Sequence, residues 1–185
     1  MTEHIFTVAN QLTVLRMLLI PAFVLLVVYG YFGWALIVFL VAGATDAFDG
    51  LAARQAGQKT TLGAWLDPAA DKLLLVTTFV VLTLPNLGLV NRIPIWLTVL
   101  VISRDIGIVL TVAIVSLAMG PRTFKPSLLG KAATAFFILT CVIVMYFNYL
   151  GRTSPVVDAF IYGSLAITLA SGIDYVFRVA KIINQ

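Results

Sequence analysis

Apolar runs of roughly 20 residues recur along the chain, parted by short polar breaks, and they limit the fold more than any other feature. A hydrocarbon core of ~30 Å takes about 20 helical residues to cross, and the backbone inside it must satisfy its own hydrogen bonds. The runs predict helices over Leu12–Tyr31, Trp34–Ala53, Gly63–Leu84, Ile95–Ala118, Leu128–Leu150 and Val156–Val179. Residues 1–9 are too few to span, and Ile5, Phe6 and Val8 predict a short interfacial segment there. Hydrophobic residues make up 61% and charged residues 11%, against about 45–50% and 25% in a soluble domain. The expected fold class is therefore an all-α integral membrane protein of six transmembrane helices, one domain over residues 1–185. No basic n-region or A-x-A site accompanies the first run, so it is expected to stay as an anchor. Cys141 is the only cysteine and lies inside an apolar run, which predicts a buried hydrophobe and excludes a disulfide within the chain.

The breaks between runs also carry an orientation. Counting loops alternately, one side holds Arg54, Lys59, Arg122, Lys125, Arg178 and Lys181, and the other only Arg92 and Arg152. The excess of basic residues predicts that both termini and the linker after the second run are cytoplasmic, as in a bacterial inner membrane. Trp34 and Trp96 fall at the opposite interface, where an aromatic belt would place them.

Against this apolar background stands the stretch from Asp46 to Asp71, with four of the eight acidic residues of the chain. Asp46 and Asp49 are three apart and Asp67 and Asp71 four apart, spacings that put each pair on one helix face. Carboxylates beside hydrocarbon are costly, and an ionisable residue in a span marks a functional site by default. Four together need a compensating charge, and an all-oxygen set favours a hard divalent ion, Mg²⁺, Mn²⁺ or Ca²⁺. Four suffice for two ions, an arrangement suited to displacement at phosphorus. Gly50 and Ala53 clear space beside Asp46 and Asp49, Gly63 admits a ligand close to the backbone, and the planar fork of Arg54 suits a phosphate. A pyrophosphate site is one reading; a proton or cation relay of a transporter, or a structural role, stays open on spacing alone. Asn10, Thr13 and Arg16 share a face at the start of the first run. They are either an interfacial cap with a snorkelling arginine or a polar edge facing the same cavity.

The order D-x2-D-G-x2-A-R-x8-G-x3-D-x3-D, filled here by Asp46, Asp49, Gly50, Ala53, Arg54, Gly63, Asp67 and Asp71, resembles the signature of the CDP-alcohol phosphotransferases without departure. The resemblance implies a six-helix membrane enzyme, commonly a homodimer, with an active site open to the cytoplasm. It implies two divalent cations, Mg or Mn, held by Asp46, Asp49, Asp67 and Asp71, with Asp71 also the general base. It implies a wall for the CDP moiety formed by Gly50, Ala53, Arg54 and Gly63, to which the polar edge would add Asn10 and Thr13. The donor would be CDP-diacylglycerol, attacked by an alcohol with release of CMP; no nucleic-acid partner is expected.

The motif does not name the alcohol, so the remaining charges matter. Arg104 lies deep in the fourth run, Lys131 one turn into the fifth, and Arg122 and Lys125 in the basic loop between. They are expected to meet an anionic lipid or glycerol-phosphate acceptor, or else to be ordinary cytoplasmic charge and a structural pair for Arg104. Asp105, on an adjacent helix face, is expected to be a poor partner for Arg104. The stretches Ile102–Asp105 and Lys125–Thr134 resemble the cardiolipin synthases of this family, whose acceptor is phosphatidylglycerol. The phosphatidylglycerophosphate synthases, which use glycerol 3-phosphate, are the alternative.

Overall fold

A computed structural model describes the backbone of residues 8–56, 61–119 and 127–183, and the side chains of 14–45, 72–115, 117 and 127–180. Within these residues the chain forms helices and no strand: α1 (Val8–Val28), α2 (Phe32–Ala56), α3 (Thr61–Thr83), α4 (Ile95–Met119), α5 (Leu128–Tyr149) and α6 (Pro155–Ile183). Each boundary falls within four residues of the apolar run that predicts it. The expected interfacial segment lies almost wholly outside the described residues, since α1 already begins at Val8. Pro21 sits inside α1, and α3 runs on as helix through Pro68.

Three stretches are long and apolar enough to cross a membrane: Ile95–Val115, Leu128–Tyr149 and Pro155–Ala180. α1, α2 and α3 carry shorter apolar stretches among the described residues, Val14–Val28, Phe32–Thr45 and Lys72–Thr83.

The helices pack as a continuous bundle. α1 lies against α2 and α3, α2 against α5, α3 against α4 and α5, and α6 against α4 and α5. Aromatic residues knit the centre. The Phe23 and Phe39 rings pair at 6.0 Å between α1 and α2, and Phe79 meets Phe137 edge-on at 5.8 Å between α3 and α5. Close helix approach depends on two missing side chains. A Cβ on Gly33 would stand 2.8 Å from the Tyr149 ring, and one on Gly163 would stand 2.6 Å from the Phe136 ring. Buried hydroxyls add short interhelical bonds, Thr83 to Thr98 at 2.6 Å and Thr140 to Ser164 at 2.9 Å. In hydrocarbon such pairs satisfy groups that lipid cannot.

The loops 84–94 and 150–154 meet at one end of the bundle. The Asn148 side chain accepts from the Asn91 N–H at 2.9 Å and donates to the Asn91 carbonyl at 2.8 Å, while the Asn91 amide donates to the Arg152 carbonyl at 2.7 Å. Gly30 turns the chain from α1 to α2 at the same end with a φ of 77°, a conformation open to glycine at little cost. An open groove of about 580 Å³ there is lined by Tyr31, Trp34, Ile37, Tyr146 and Tyr149. The exposed rings of Trp34, Trp96 and Tyr162 share this end, Trp96 and Tyr162 at a centroid distance of 6.5 Å.

Candidate active site

The motif divides between two touching helices. Asp46, Asp49, Gly50, Ala53 and Arg54 lie on the last turns of α2, and Gly63, Asp67 and Asp71 on the first turns of α3. Asn10 and Thr13 lie on the first turns of α1, which packs on both. α1 and α2 are joined by a tight turn at residues 29–31, so the start of α1 and the end of α2 belong to the same half of the bundle. The backbone thus gathers ten of the expected residues onto the same half of three mutually packed helices. Their side chains, and all of Arg122 and Lys125, lie outside the described residues. Among the described residues no three His, Cys, Asp or Glu side chains form a possible metal site. The four aspartates supply only carboxylate oxygens, a donor set that fits hard divalent cations.

Next to the motif, on the described part of α3, begins a charged cluster. Lys72, the residue after Asp71, donates to the Asp105 carboxylate on α4 through Oδ2. The other oxygen of Asp105 accepts from Arg104 Nη1 at 2.7 Å. Asp105 is therefore a direct partner of Arg104, contrary to expectation. Adjacent Cβ atoms diverge around a helix, but the long arginine stem folds back and brings the guanidinium to its neighbour. The Arg104 side chain is 9% exposed and that of Asp105 13%, so the pair is held within the bundle. Arg104 Nε has no hydrogen-bond partner among the described residues.

The start of α5 closes one side of this cluster. Ser127 caps α5 by accepting from the Gly130 N–H at 2.8 Å. A Cβ on Gly130 would lie 3.5 Å from Arg104 Nη2, so the glycine leaves the guanidinium room. On α6, Asp174 accepts from Arg178 Nε at 2.8 Å and lies beside Ser127, and the Tyr175 hydroxyl donates to the Ile108 carbonyl at 3.0 Å. Lys131 is exposed one turn into α5. Of the four basic residues expected at the acceptor, Arg104 is thus the one the described structure sets among polar neighbours.

Two positions were undervalued by sequence reading. Arg16 is 1% exposed, so its side chain is covered by the bundle and not spread on an open interface. Lys72 has a sequence signal of its own, since a lysine in an apolar run is as costly as Arg104 and needs a partner. Ser127 and Asp174 had none, because their meeting depends on how α5 and α6 pack.

Residues 6–170 match the family model described as CDP-alcohol phosphatidyltransferase. A Mycobacterium tuberculosis protein named a probable phosphatidylglycerophosphate synthase is 30% identical over 96% of this chain and 84% of its own length. A Streptomyces coelicolor protein named cardiolipin synthase (CMP-forming) is 34% identical over 72% of this chain and 62% of that protein. The Homo sapiens cardiolipin synthase (CMP-forming) is 34% identical over 80% of this chain and 54% of that protein. The chain thus spans most of the first relative and little more than half of the other two.

Proposed function

The chain belongs to the CDP-alcohol phosphatidyltransferase family of phosphotransferases, and from that premise we propose that it transfers a phosphatidyl group from CDP-diacylglycerol to phosphatidylglycerol, forming cardiolipin and CMP. The reading is carried by the complete eight-position motif divided between the adjoining ends of α2 and α3, with Arg104 in the same half of the bundle. A relay for protons or cations would need the carboxylates but not the small residues and arginine between them.

In this reading Asp46, Asp49, Asp67 and Asp71 hold two Mg²⁺ or Mn²⁺ ions. When bound, such ions neutralise the pyrophosphate and the charge that develops on the leaving oxygen. Gly50, Ala53 and Gly63 leave space for the CDP moiety, Arg54 pairs with its phosphate, and Asn10 and Thr13 complete that wall. Asp71 takes the proton of the acceptor hydroxyl as its oxygen bonds to the β-phosphorus. The bond from that phosphorus to the CMP oxygen breaks, and CMP leaves. Arg104, Lys131, Arg122 and Lys125 hold the phosphate of the acceptor. All six helices cross the membrane in one domain, with the termini and the motif on the cytoplasmic side, and the protein works as a homodimer.

A second reading has glycerol 3-phosphate as the acceptor. It is favoured by the extent of the match to the protein named a probable phosphatidylglycerophosphate synthase. One assay separates the two. The purified protein is supplied with CDP-diacylglycerol and Mg²⁺ or Mn²⁺, and with phosphatidylglycerol, glycerol 3-phosphate, serine or inositol phosphate in separate reactions. Cardiolipin in the phosphatidylglycerol reaction, identified by mass together with released CMP, is the expected result. Phosphatidylglycerophosphate as the only product overturns the choice of acceptor, and no CMP in any reaction overturns the activity.

A further inference from the structure

The charged cluster beside the motif contains two cations and one carboxylate. Asp105 has two oxygens and gives one to each: Oδ2 to Lys72 of α3 and Oδ1 to Nη1 of Arg104. An arginine beside a carboxylate commonly takes both oxygens in a two-pronged contact, which uses up the fork. Here Lys72, itself half-exposed, occupies the second oxygen, and among the described residues the guanidinium makes a single hydrogen bond. Its Nε has no partner among the described residues, in a side chain only 9% exposed, a state that is costly unless an acceptor atom is supplied. Gly130 leaves open the space beside Nη2.

We propose that Lys72 is a positioning residue for Arg104. By holding one oxygen of Asp105, it keeps that carboxylate from closing on the guanidinium and leaves Arg104 donors for the phosphate of the acceptor. Lys72 also ties α3 to α4 one residue after Asp71. The inference rests on the reading that Arg104 meets the acceptor.

Steady-state kinetics on the full-length protein tests it, with CDP-diacylglycerol and either phosphatidylglycerol or glycerol 3-phosphate varied in turn; the arm that turns over identifies which phosphate-bearing acceptor is bound. Arg104→Gln sets the scale and raises the KM for the acceptor. Lys72→Met raises the same KM about tenfold, the scale of one charged hydrogen bond, leaves the KM for CDP-diacylglycerol unchanged and barely moves kcat. Lys72→Arg restores the acceptor KM. The double variant Lys72→Met with Asp105→Asn also restores it, because no carboxylate is left to close on Arg104. Asp105→Asn alone leaves the acceptor KM at or below that of the parent, and it decides the matter if Lys72→Met does not fold.

A double variant as impaired as Lys72→Met shows a plain structural tether and overturns the inference. An unchanged acceptor KM in Lys72→Met, with a raised one in Arg104→Gln, overturns it while leaving the acceptor site in place. An unchanged KM in Arg104→Gln removes the acceptor site and the inference together.

Discussion

The two halves of this bundle treat polar groups in opposite ways. At the loop end, Asn91, Asn148 and the Arg152 carbonyl exchange hydrogen bonds among themselves, and the surrounding surface is aromatic. In the motif half, the adjoining turns of α2 and α3 carry four aspartates, and Arg104 on α4 keeps a buried donor without a partner among the described residues. A closed polar network rigidifies and holds loops where water is scarce. A half-satisfied one destabilises a fold unless something binds there. The contrast fits a stabilising role for the loop end and, on the proposed function, chemistry in the motif half.

The contrast can be broken most sharply at Asp71. Asp71→Asn is expected to lower turnover by 10²- to 10⁴-fold, the range set by loss of a general base, while the thermal midpoint stays near that of the parent. Near-normal CMP release from the variant would remove the base from Asp71. Stripping divalent ions with a chelator is expected to stop CMP release, and adding back Mg²⁺ or Mn²⁺ to restore it; full activity in chelator would sink the role of the four aspartates.

The loop end answers the other way. Asn148→Leu leaves the N–H and C=O of Asn91 without their partners, a loss of about 1–3 kcal/mol for each buried group left unmade. A lower thermal midpoint with unchanged KM values for the folded protein is expected. A raised KM would tie this end to the substrates. Gly33→Ala pushes a methyl to 2.8 Å from the Tyr149 ring. It should cost about 1–3 kcal/mol as overpacking unless the ring swings into the open groove beside it. The smallest effect is expected at the Thr83–Thr98 pair. Thr83→Val should lower stability by only ~0.6 kcal/mol, the average measured for interhelical hydrogen bonds in a membrane. A much larger loss would mean that the α3–α4 seam is held mainly by this pair.

Much of the architecture was legible because a membrane imposes one solution on the backbone. An apolar run of spanning length becomes a helix, and Pro68, which in water would argue for a break, did not end α3. The motif was legible for a related reason: carboxylates among apolar runs are costly and mark a functional site by default. Arg104 stood out by the same rule, but its partner did not. Helix-face geometry placed Asp105 out of reach, whereas side-chain length and the packing of α3 and α5 brought the two together. For Arg16 the sequence left two readings open, and its burial came only from the packing, since burial depends on which helices cover a face.

By itself the sequence determined the helices and their limits to within four residues, and it set out the motif on which the proposed metal and phosphate roles rest, because hydropathy period and motif spacing are local properties. The tertiary structure decided which charges meet. Lys72, Asp105, Arg104 and Gly130 come from three helices and lie up to 58 positions apart, from 72 to 130. Nothing in their spacing links them. In a medium that does not solvate ions, a charge takes its partner from whatever helix packs beside it, and that choice belongs to the fold.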